Sequence, residues 1–215
     1  MNALTFNGES LVLRPSGALW WPTERLLCVS DLHLGKAERM ARRGGALVPP
    51  YECDETLERL DAEISAMAPR RVICLGDSFD DGPAEHGLSE AHRMWIARMM
   101  AGRDWVWIAG NHDPGPVRLG GEHLAEVRLG GLVFRHIAEA DAAPGEVSGH
   151  YHPKARLAGS RRPCFLTDGC RLILPAFGSY TGGMDADAPE ILALLRPPMK
   201  AVLTGPTPVV FPIGP

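Results

Sequence analysis

The chain has 215 residues, which is enough for a large hydrophobic core, and we expect residues 1–215 to form a single domain. Its net charge is −4, so the chain as a whole is not expected to attract nucleic acid or anionic lipid. Five cysteines without a C-x-x-C pair favour a reducing, cytoplasmic setting. No apolar run approaches about 18 residues and no leader precedes the first strand, so we expect neither a membrane helix nor a signal peptide.

The N-terminal segment predicts a β-hairpin, because two apolar stretches flank the turn dipeptide Asn7-Gly8. A first amphipathic helix is predicted by apolar residues spaced three, four and three positions apart: Leu57, Leu60, Ile64 and Met67. A second helix is predicted to begin at the cap Ser89 and to face the core with three residues: Met94, Ile96 and Met100. We expect these elements to serve packing rather than chemistry.

Five short apolar runs, each predicted to be a strand, end in polar side chains. After the run Leu26–Ser30 come Asp31 and His33. Residues i and i+2 of a strand share a face, so this carboxylate and imidazole can aim at one point. Four later runs repeat the pattern, which gives these candidate ligands: Asp31, His33, Asp77, Asn111, His136, His150 and His152. A strand-end turn would explain one pair, whereas a shared metal site explains all five runs.

The candidate ligands are nitrogen and oxygen donors without a thiolate, a set that favours Mn²⁺, Fe, Zn²⁺ or Co²⁺. Seven donors exceed the usual need of one ion and match two ions that share a bridging carboxylate. Two ions ~3.5–4 Å apart lower the pKa of a bound water toward ~7 and hold a phosphate for in-line displacement. His123 is an alternative ligand, but it precedes its predicted strand, whereas His136 ends one.

Three further residues of the same motifs are candidate catalytic groups. His112 follows Asn111 and is predicted to be the general acid that protonates the leaving oxygen. Asp113 is a candidate for orienting His112, and Asp80 is a candidate for holding a ligating histidine in its tautomer.

A basic cluster follows the first pair of candidate ligands, in a predicted helix that two glycines end: Lys36, Arg39, Arg42 and Arg43. One interpretation is that the cluster binds the phosphate backbone of a substrate. The other is that it forms the solvated face of a helix. The sequence leaves both open.

From residue 125 onward the pattern changes to short predicted strands: AEVRL, GLVFRH, EVSG, CFLT, RLILPAF, EILALL, AVLTG and PVVFPI. The predicted helices lie mostly in the first half of the chain. This division favours an α+β fold in which two sheets form a sandwich with helices outside.

The ordered motifs resemble those of the calcineurin-like metallophosphoesterases: D-x-H, G-D-x-x-D, G-N-H-[E/D], a lone H and G-H-x-H. In this chain they begin at Asp31, Gly76, Gly110, His136 and Gly149, and none is degraded. The resemblance implies a four-layer αββα sandwich of two mixed β-sheets. It also implies that one ion is held by Asp31, His33, Asp77 and His152. The other would be held by Asp77, Asn111, His136 and His150, with Asp77 bridging.

A narrower resemblance covers SDLHLGKAERMARRGG, GHYHP and LPAFGSYTGG, which are similar to the bacterial ligase-associated DNA-damage-response endonucleases. It implies a Mn²⁺-dependent phosphodiesterase that acts on DNA in repair, alongside a DNA ligase and a helicase, and it implies that the loop Pro175–Gly183 lies near the metals. Two alternatives stay open: the same chemistry on a small nucleotide or a phosphomonoester, and a non-catalytic metal-binding scaffold.

Overall fold

The computed structural model describes residues 2–42, 44, 51–207 and 209–214, and it contains two mixed β-sheets. The strands of the first sheet follow one another in chain order: β1 (Asn2–Phe6), β2 (Glu9–Leu13), β3 (Leu19–Trp21), β4 (Leu26–Val29), β5 (Arg71–Leu75), β6 (Asp104–Ile108) and β7 (Glu122–Leu124). Strands β1 to β4 pair antiparallel, and β4 to β7 pair parallel. The predicted hairpin is confirmed, since Phe6 pairs with Glu9 across Asn7-Gly8.

The second sheet has eight strands, which are in chain order β8 (Glu126–Leu129), β9 (Leu132–Arg135), β10 (Glu146–Ser148), β11 (Lys154–Leu157), β12 (Ser160–Thr167), β13 (Arg171–Ile173), β14 (Met199–Leu203) and β15 (Val210–Ile213). Strand β10 lies between β9 and β13 and pairs parallel with both. The other pairings in this sheet are antiparallel.

The described residues form five helices: α1 (Lys36–Arg42), α2 (Glu52–Met67), α3 (Gly82–Gly87), α4 (Glu90–Met100) and α5 (Pro189–Leu192). The Oγ atom of Ser89 accepts a hydrogen bond from the backbone N–H of His92, so the predicted cap of α4 is confirmed. None of the helices in the described ranges is long and apolar enough to cross a lipid bilayer.

One hydrophobic core lies between the two sheets. Successive strand residues face opposite sides, so Leu26 and Cys28 of β4 point into this core while Leu27 and Val29 point to the other face. The second sheet contributes Phe134 and neighbouring residues from its own inner face. This packing buries both sheets against each other.

A second core covers the outer face of the first sheet. Helix α2 contributes Leu57, Leu60 and Ile64 to it, and α4 contributes Ile96 and Met99. The predicted apolar stripe of α2 is therefore confirmed for these three residues, whereas Met67, at the end of the helix, is only partly buried and does not belong to this core. The prediction that Met94 faces this core is wrong, because Met94 is 65 % exposed and lies about 200° around the helix from Ile96.

The outer face of the second sheet has a third, smaller core, which includes Ile191 and Leu195. The segment Glu190–Leu195 is not the predicted strand, because Pro189 begins helix α5 there and its fixed φ favours a first helical turn. The four layers are helices, sheet, sheet and a short helix. The predicted α+β sandwich of two mixed sheets is thus confirmed.

Candidate active site

The candidate ligands meet where parallel strands of the two sheets end. Asp31, Asp77 and Asn111 follow β4, β5 and β6, while His136 and His150 follow β9 and β10. Parallel strands present their carboxyl ends at one edge of a sheet, and the two sheets bring their edges together at this point. Residues more than 100 positions apart in the chain are therefore neighbours.

The first group of side chains consists of Asp31, His33 and His152, whose donor atoms lie within 4.8 Å of one another. The Nε2 atoms of the two histidines are 3.3 Å apart. Nε2 of His152 lies 3.1 Å from Oδ1 of Asp31. Asp31 is fully buried, so within the described residues its Oδ1 faces imidazole nitrogen atoms and not solvent. A buried carboxylate oxygen beside imidazoles is the environment that a divalent cation stabilises.

The second group consists of Asp77, His136 and His150. Nδ1 of His136 donates to the carbonyl oxygen of Leu75 at 3.1 Å, which leaves Nε2 as an acceptor. Three further atoms surround this Nε2: Oδ1 of Asn111 at 3.0 Å, Nδ1 of His150 at 3.3 Å and Oδ2 of Asp77 at 3.4 Å. Lone pairs that converge in this way fit a cation.

The two groups adjoin, since Nδ1 of His136 lies 3.8 Å from Oδ1 of Asp31. Burial raises the pKa of Asp77, but the stronger combined effect of His136 and the backbone N–H of His112 brings that pKa down to about 2. Burial also opposes ionisation of Asp31, yet His152 and His136 hold the pKa of this carboxyl below its usual value. Both aspartates are therefore carboxylates at neutral pH, as metal ligands must be.

The backbone around these ligands is strained. Five of the candidate ligands have positive φ, a conformation that is uncommon for residues other than glycine: Asp31 (53°), His33 (49°), Asp77 (45°), His150 (71°) and His152 (45°). Strain of this kind gathers at functional sites, where the surrounding structure holds the residues in place.

The glycine that precedes His150 is required by close packing. A Cβ atom on Gly149 would lie 1.8 Å from Oγ of Ser30 and 2.6 Å from Oδ2 of Asp31. The Ser30 hydroxyl donates to the same Oδ2 at 2.5 Å, and the backbone N–H of His150 donates to it at 3.0 Å. Ser30 is not among the predicted site residues. A serine at the end of an apolar run and next to Asp31 is nevertheless a pattern that could have indicated a hydrogen-bond donor to this carboxylate.

His112 lies beside both groups, and its side chain is 35 % exposed, far more than those of the ligand histidines His33 and His136. Its Nδ1 donates to the carbonyl oxygen of Asp80 at 2.9 Å, and its Nε2 lies 4.0 Å from Oδ2 of Asp77. The imidazole is thus fixed through Nδ1, while Nε2 lies on the side of Asp77.

Asp113 does not orient His112 in the way that its position in the sequence suggested. Its Oδ2 accepts hydrogen bonds from the backbone N–H groups of Ser78 and Phe79, at 2.7 and 3.0 Å. Burial raises the pKa of Asp113 to about 6. Asp113 therefore fixes the loop that follows Asp77, and the group that holds His112 is the backbone of Asp80.

The carboxylate of Asp80 contacts a candidate ligand. Its Oδ1 lies 2.8 Å from Nδ1 of His33, and its Oδ2 accepts a hydrogen bond from Arg39. Asp80 is 1 % exposed. Since Nδ1 of His33 faces this carboxylate, Nε2 of His33 is turned toward His152 and Asp31, as expected when a carboxylate sets a histidine tautomer.

The basic cluster is only partly available to a substrate. Arg39 is paired with Asp80, and Arg42 donates to both carboxylate oxygens of Asp81 at 2.8 Å. Arg43 lies outside the described residues. Lys36 is at the start of α1 and, within the described ranges, has no acidic side chain within 4.0 Å.

The loop Pro175–Gly183 is joined to the first group by backbone hydrogen bonds. Phe177 donates to the carbonyl oxygen of Ser30 at 2.7 Å, and Gly178 donates to that of Asp31 at 3.0 Å. His123, the alternative ligand, lies inside β7 and belongs to none of the clusters found among the described residues.

Comparisons with known proteins agree with this geometry. The sequence model of the family described as calcineurin-like phosphoesterase matches residues 24–167. Among solved structures, the crystal structure of Pseudomonas putida nuclease MPE is similar, with a TM-score of 0.76, 27 % sequence identity and coverage of 99 % of each chain. A search of curated proteins finds no significant match. Because the family match spans most of the chain and contains both groups of donor atoms, this chain belongs to the calcineurin-like phosphoesterases and is a metal-dependent phosphoester hydrolase.

Proposed function

We propose that this chain is a dinuclear-metal-dependent phosphodiesterase that cleaves DNA internally. One observation carries the proposal. Two groups of candidate metal ligands lie in contact, and the partly exposed imidazole of His112 lies at their edge. The likeness to a solved nuclease over the whole chain supports a nucleic-acid substrate.

Each residue in the motifs has a proposed role. One ion would be held by Asp31, His33 and His152, a second by Asn111, His136 and His150, and Asp77 would be a ligand of both. When bound, such ions supply a water of lowered pKa and neutralise charge on the phosphate. Asp80 holds the tautomer of His33, and Asp113 holds the backbone that follows Asp77.

We assign His112 as the general acid. In its protonated form, Nδ1–H donates to the carbonyl oxygen of Asp80, and Nε2–H lies beside Asp77. The Nε2 proton passes to the leaving oxygen as the P–O bond breaks, so the departing group leaves as an alcohol. Proton transfer of this kind contributes ~10²–10⁴-fold to rates.

The proposal extends to the metal, the domain and the cellular role. The metal in the cell is Mn²⁺, with Fe, Zn²⁺ or Co²⁺ as alternatives for the same donor set. Residues 1–215 form one domain, since both sheets supply ligands to one site. Action in DNA repair and cooperation with a DNA ligase and a helicase rest on the resemblance of the motifs, whereas a cytoplasmic location rests on the cysteine pattern.

A second candidate is the same chemistry on a small nucleotide or a phosphomonoester. The observation that favours it is the pairing of Arg39 with Asp80 and of Arg42 with Asp81, which removes two cations from a phosphate-binding surface. A non-catalytic scaffold is less well supported, because every motif residue is present.

The two candidates are separated by comparing Mn²⁺-dependent rates on supercoiled plasmid, bis-(p-nitrophenyl) phosphate and p-nitrophenyl phosphate. We expect plasmid nicking and diester hydrolysis. His112→Ala should abolish nicking and reduce hydrolysis of the activated diester to a smaller extent, whereas His86→Ala, a change of an exposed histidine on α3, should retain both. Fast monoester hydrolysis without nicking would favour the small-substrate alternative. Metal binding without turnover on any ester would contradict the enzyme.

A further inference from the structure

A cavity of about 420 Å³ opens beside the loop Pro175–Gly183. The polar side chains in its wall are those of Ser16, Glu55, Arg59, Lys154, Ser179, Tyr180, Thr181 and Thr204, so the wall carries two cationic groups and one carboxylate. Gly178 donates to the backbone of Asp31, and Lys154 follows His152 by two residues, so the cavity adjoins the first group of ligands. Its volume falls in the range of ~300–1,000 Å³ that is typical of small-molecule sites.

Two buried polar atoms of the cavity residues lack a hydrogen-bond partner among the described residues. They are the hydroxyl of Ser179, a residue that is 6 % exposed, and the Nε atom of Arg59. Buried polar groups are usually satisfied, so these atoms can bond to a water or to a polar atom of a ligand in the cavity.

Tyr180 presents an aromatic ring at this cavity. The side chain is 47 % exposed, and the residue has a φ of 56°, a strained conformation for tyrosine. The flanking backbone is fixed, because Ser179 N–H donates to Oγ1 of Thr56 at 3.0 Å and Oγ1 of Thr181 donates to the carbonyl oxygen of Gly178 at 3.2 Å. The ring is thus held in the open on a rigid support.

Lys154 adds positive charge to the wall of the cavity. Its Nζ atom donates to the carbonyl oxygen of Thr181 at 2.9 Å. Among the described residues Lys154 has no acidic side chain within 4.0 Å. Its ammonium group is therefore available to an anion in the cavity.

We propose that this cavity binds the nucleoside attached to the scissile phosphate, with the base stacked on Tyr180 and the next phosphate held by Lys154. The inference rests on the proposed phosphodiesterase function and adds a reason for choosing nucleic acid over a simple ester. An aromatic platform beside cations is how proteins hold single-stranded nucleic acid without reading its sequence.

The test compares two diesters that share one leaving group: thymidine 5′-(p-nitrophenyl) phosphate and methyl p-nitrophenyl phosphate. The wild-type protein with Mn²⁺ should prefer the thymidine ester in kcat/KM. Since base stacking on an aromatic residue is worth ~1–3 kcal/mol, Tyr180→Ala should reduce this preference about tenfold, mostly through KM. Tyr180→Phe retains the ring and should keep the preference. A preference that is the same in all three proteins would overturn the proposal.

The role of Lys154 is tested by measuring how salt affects binding of a single-stranded oligonucleotide. Each phosphate contact changes the slope of log K against log salt by ~0.7, so Lys154→Gln should lower that slope by about this amount. Lys200→Gln, a change of an exposed lysine on β14, is the matched control. A slope that Lys154→Gln leaves at the wild-type value would contradict the role of Lys154.

A binding measurement on the unaltered protein keeps the inference separate from the proposed function. Calorimetry with Mn²⁺ present compares thymidine 5′-monophosphate with methyl phosphate. Tighter binding of the nucleotide supports the cavity even if no ester is hydrolysed, an outcome that would sink the proposed function alone. Equal binding of the two would overturn the cavity assignment even if the protein is an active diesterase.

Discussion

Nδ1 of His33 lies 2.8 Å from Oδ1 of Asp80, and Nε2 of the same ring lies 3.3 Å from Nε2 of His152. One nitrogen of the imidazole therefore faces a buried carboxylate and the other faces the metal-binding group. Asp80 in turn accepts a hydrogen bond from Arg39, so a residue of the basic cluster supports the site through Asp80.

Replacing Asp80 should weaken metal binding without removing a ligand. Loss of a carboxylate behind a ligating histidine typically costs ~10–100-fold in metal affinity, and we expect Asp80→Ala to weaken Mn²⁺ binding by this factor. Calorimetric titration of metal-free protein measures it. Asp81→Ala is the control, because Asp81 pairs with Arg42 and not with either group. Equal affinities in the two variants would refute the role of Asp80.

The role of His112 predicts a dependence on the leaving group. His112→Ala should slow cleavage of DNA, whose alkoxide leaving group needs a proton, by ~10²–10⁴-fold. The loss should be smaller with p-nitrophenyl esters, because p-nitrophenolate leaves without protonation. Steady-state rates on both substrates give the comparison. An equal loss on both would instead indicate that His112 only holds the phosphate or a metal.

Close packing at Gly149 predicts that even one methyl group disturbs the site. In Gly149→Ala the new Cβ would overlap the hydroxyl of Ser30 and press on Asp31. Overpacking of this kind costs ~1–3 kcal/mol, and we expect a loss of stability of this size together with weaker Mn²⁺ binding. Gly87→Ala is the control, since no atom lies within 4 Å of a Cβ at that position. Wild-type metal affinity in Gly149→Ala would contradict the prediction.

A buried ion pair supports the strand that leads to His150. Glu146 is 1 % exposed at the start of β10, and its carboxylate lies 3.3 Å from Nη1 of Arg135 and 3.5 Å from Nε of Arg171. Removing one partner of a buried pair leaves charge uncompensated, so Glu146→Ala should lower the free energy of unfolding by about 3 kcal/mol. Urea denaturation measures it, and Glu58→Ala on the exposed face of α2 should have little effect. If Glu146→Ala changed the free energy of unfolding as little as Glu58→Ala, the prediction would be wrong, and the other acceptors around Arg135 and Arg171 would be enough to compensate their charge.

The positions of the candidate ligands could be predicted because they follow from local geometry. An apolar run that ends in Asp31-x-His33 predicts a strand with ligands after it. The two ligands do not share a strand face as predicted, because both lie beyond β4 with positive φ. The sandwich could also be predicted, since the helical stripe of α2 and the later short strands differ in period.

The contacts of Asp113, Arg39 and Arg42 could not be predicted from local patterns. The partners of the arginines, Asp80 and Asp81, lie about 40 positions away in the chain, and their proximity depends on how α1 packs beside the loop after β5. The carboxylate of Asp113 accepts from the backbone of Ser78, a contact between the loops after β6 and β5 that depends on the pairing of these two strands. The prediction of a strand at Glu190–Leu195 is wrong because a short apolar run such as EILALL has no period that distinguishes a strand from a helix.

The most direct test of a dinuclear mechanism is hydrolysis of bis-(p-nitrophenyl) phosphate by metal-stripped protein as Mn²⁺ is restored, beside Asp77→Ala and His112→Ala. We predict no turnover without metal and recovery that saturates near two ions per chain. Asp77→Ala should bind less metal and His112→Ala should bind the full amount, with turnover reduced in both. Full turnover in the metal-stripped protein, or in Asp77→Ala, would contradict the dinuclear phosphodiesterase.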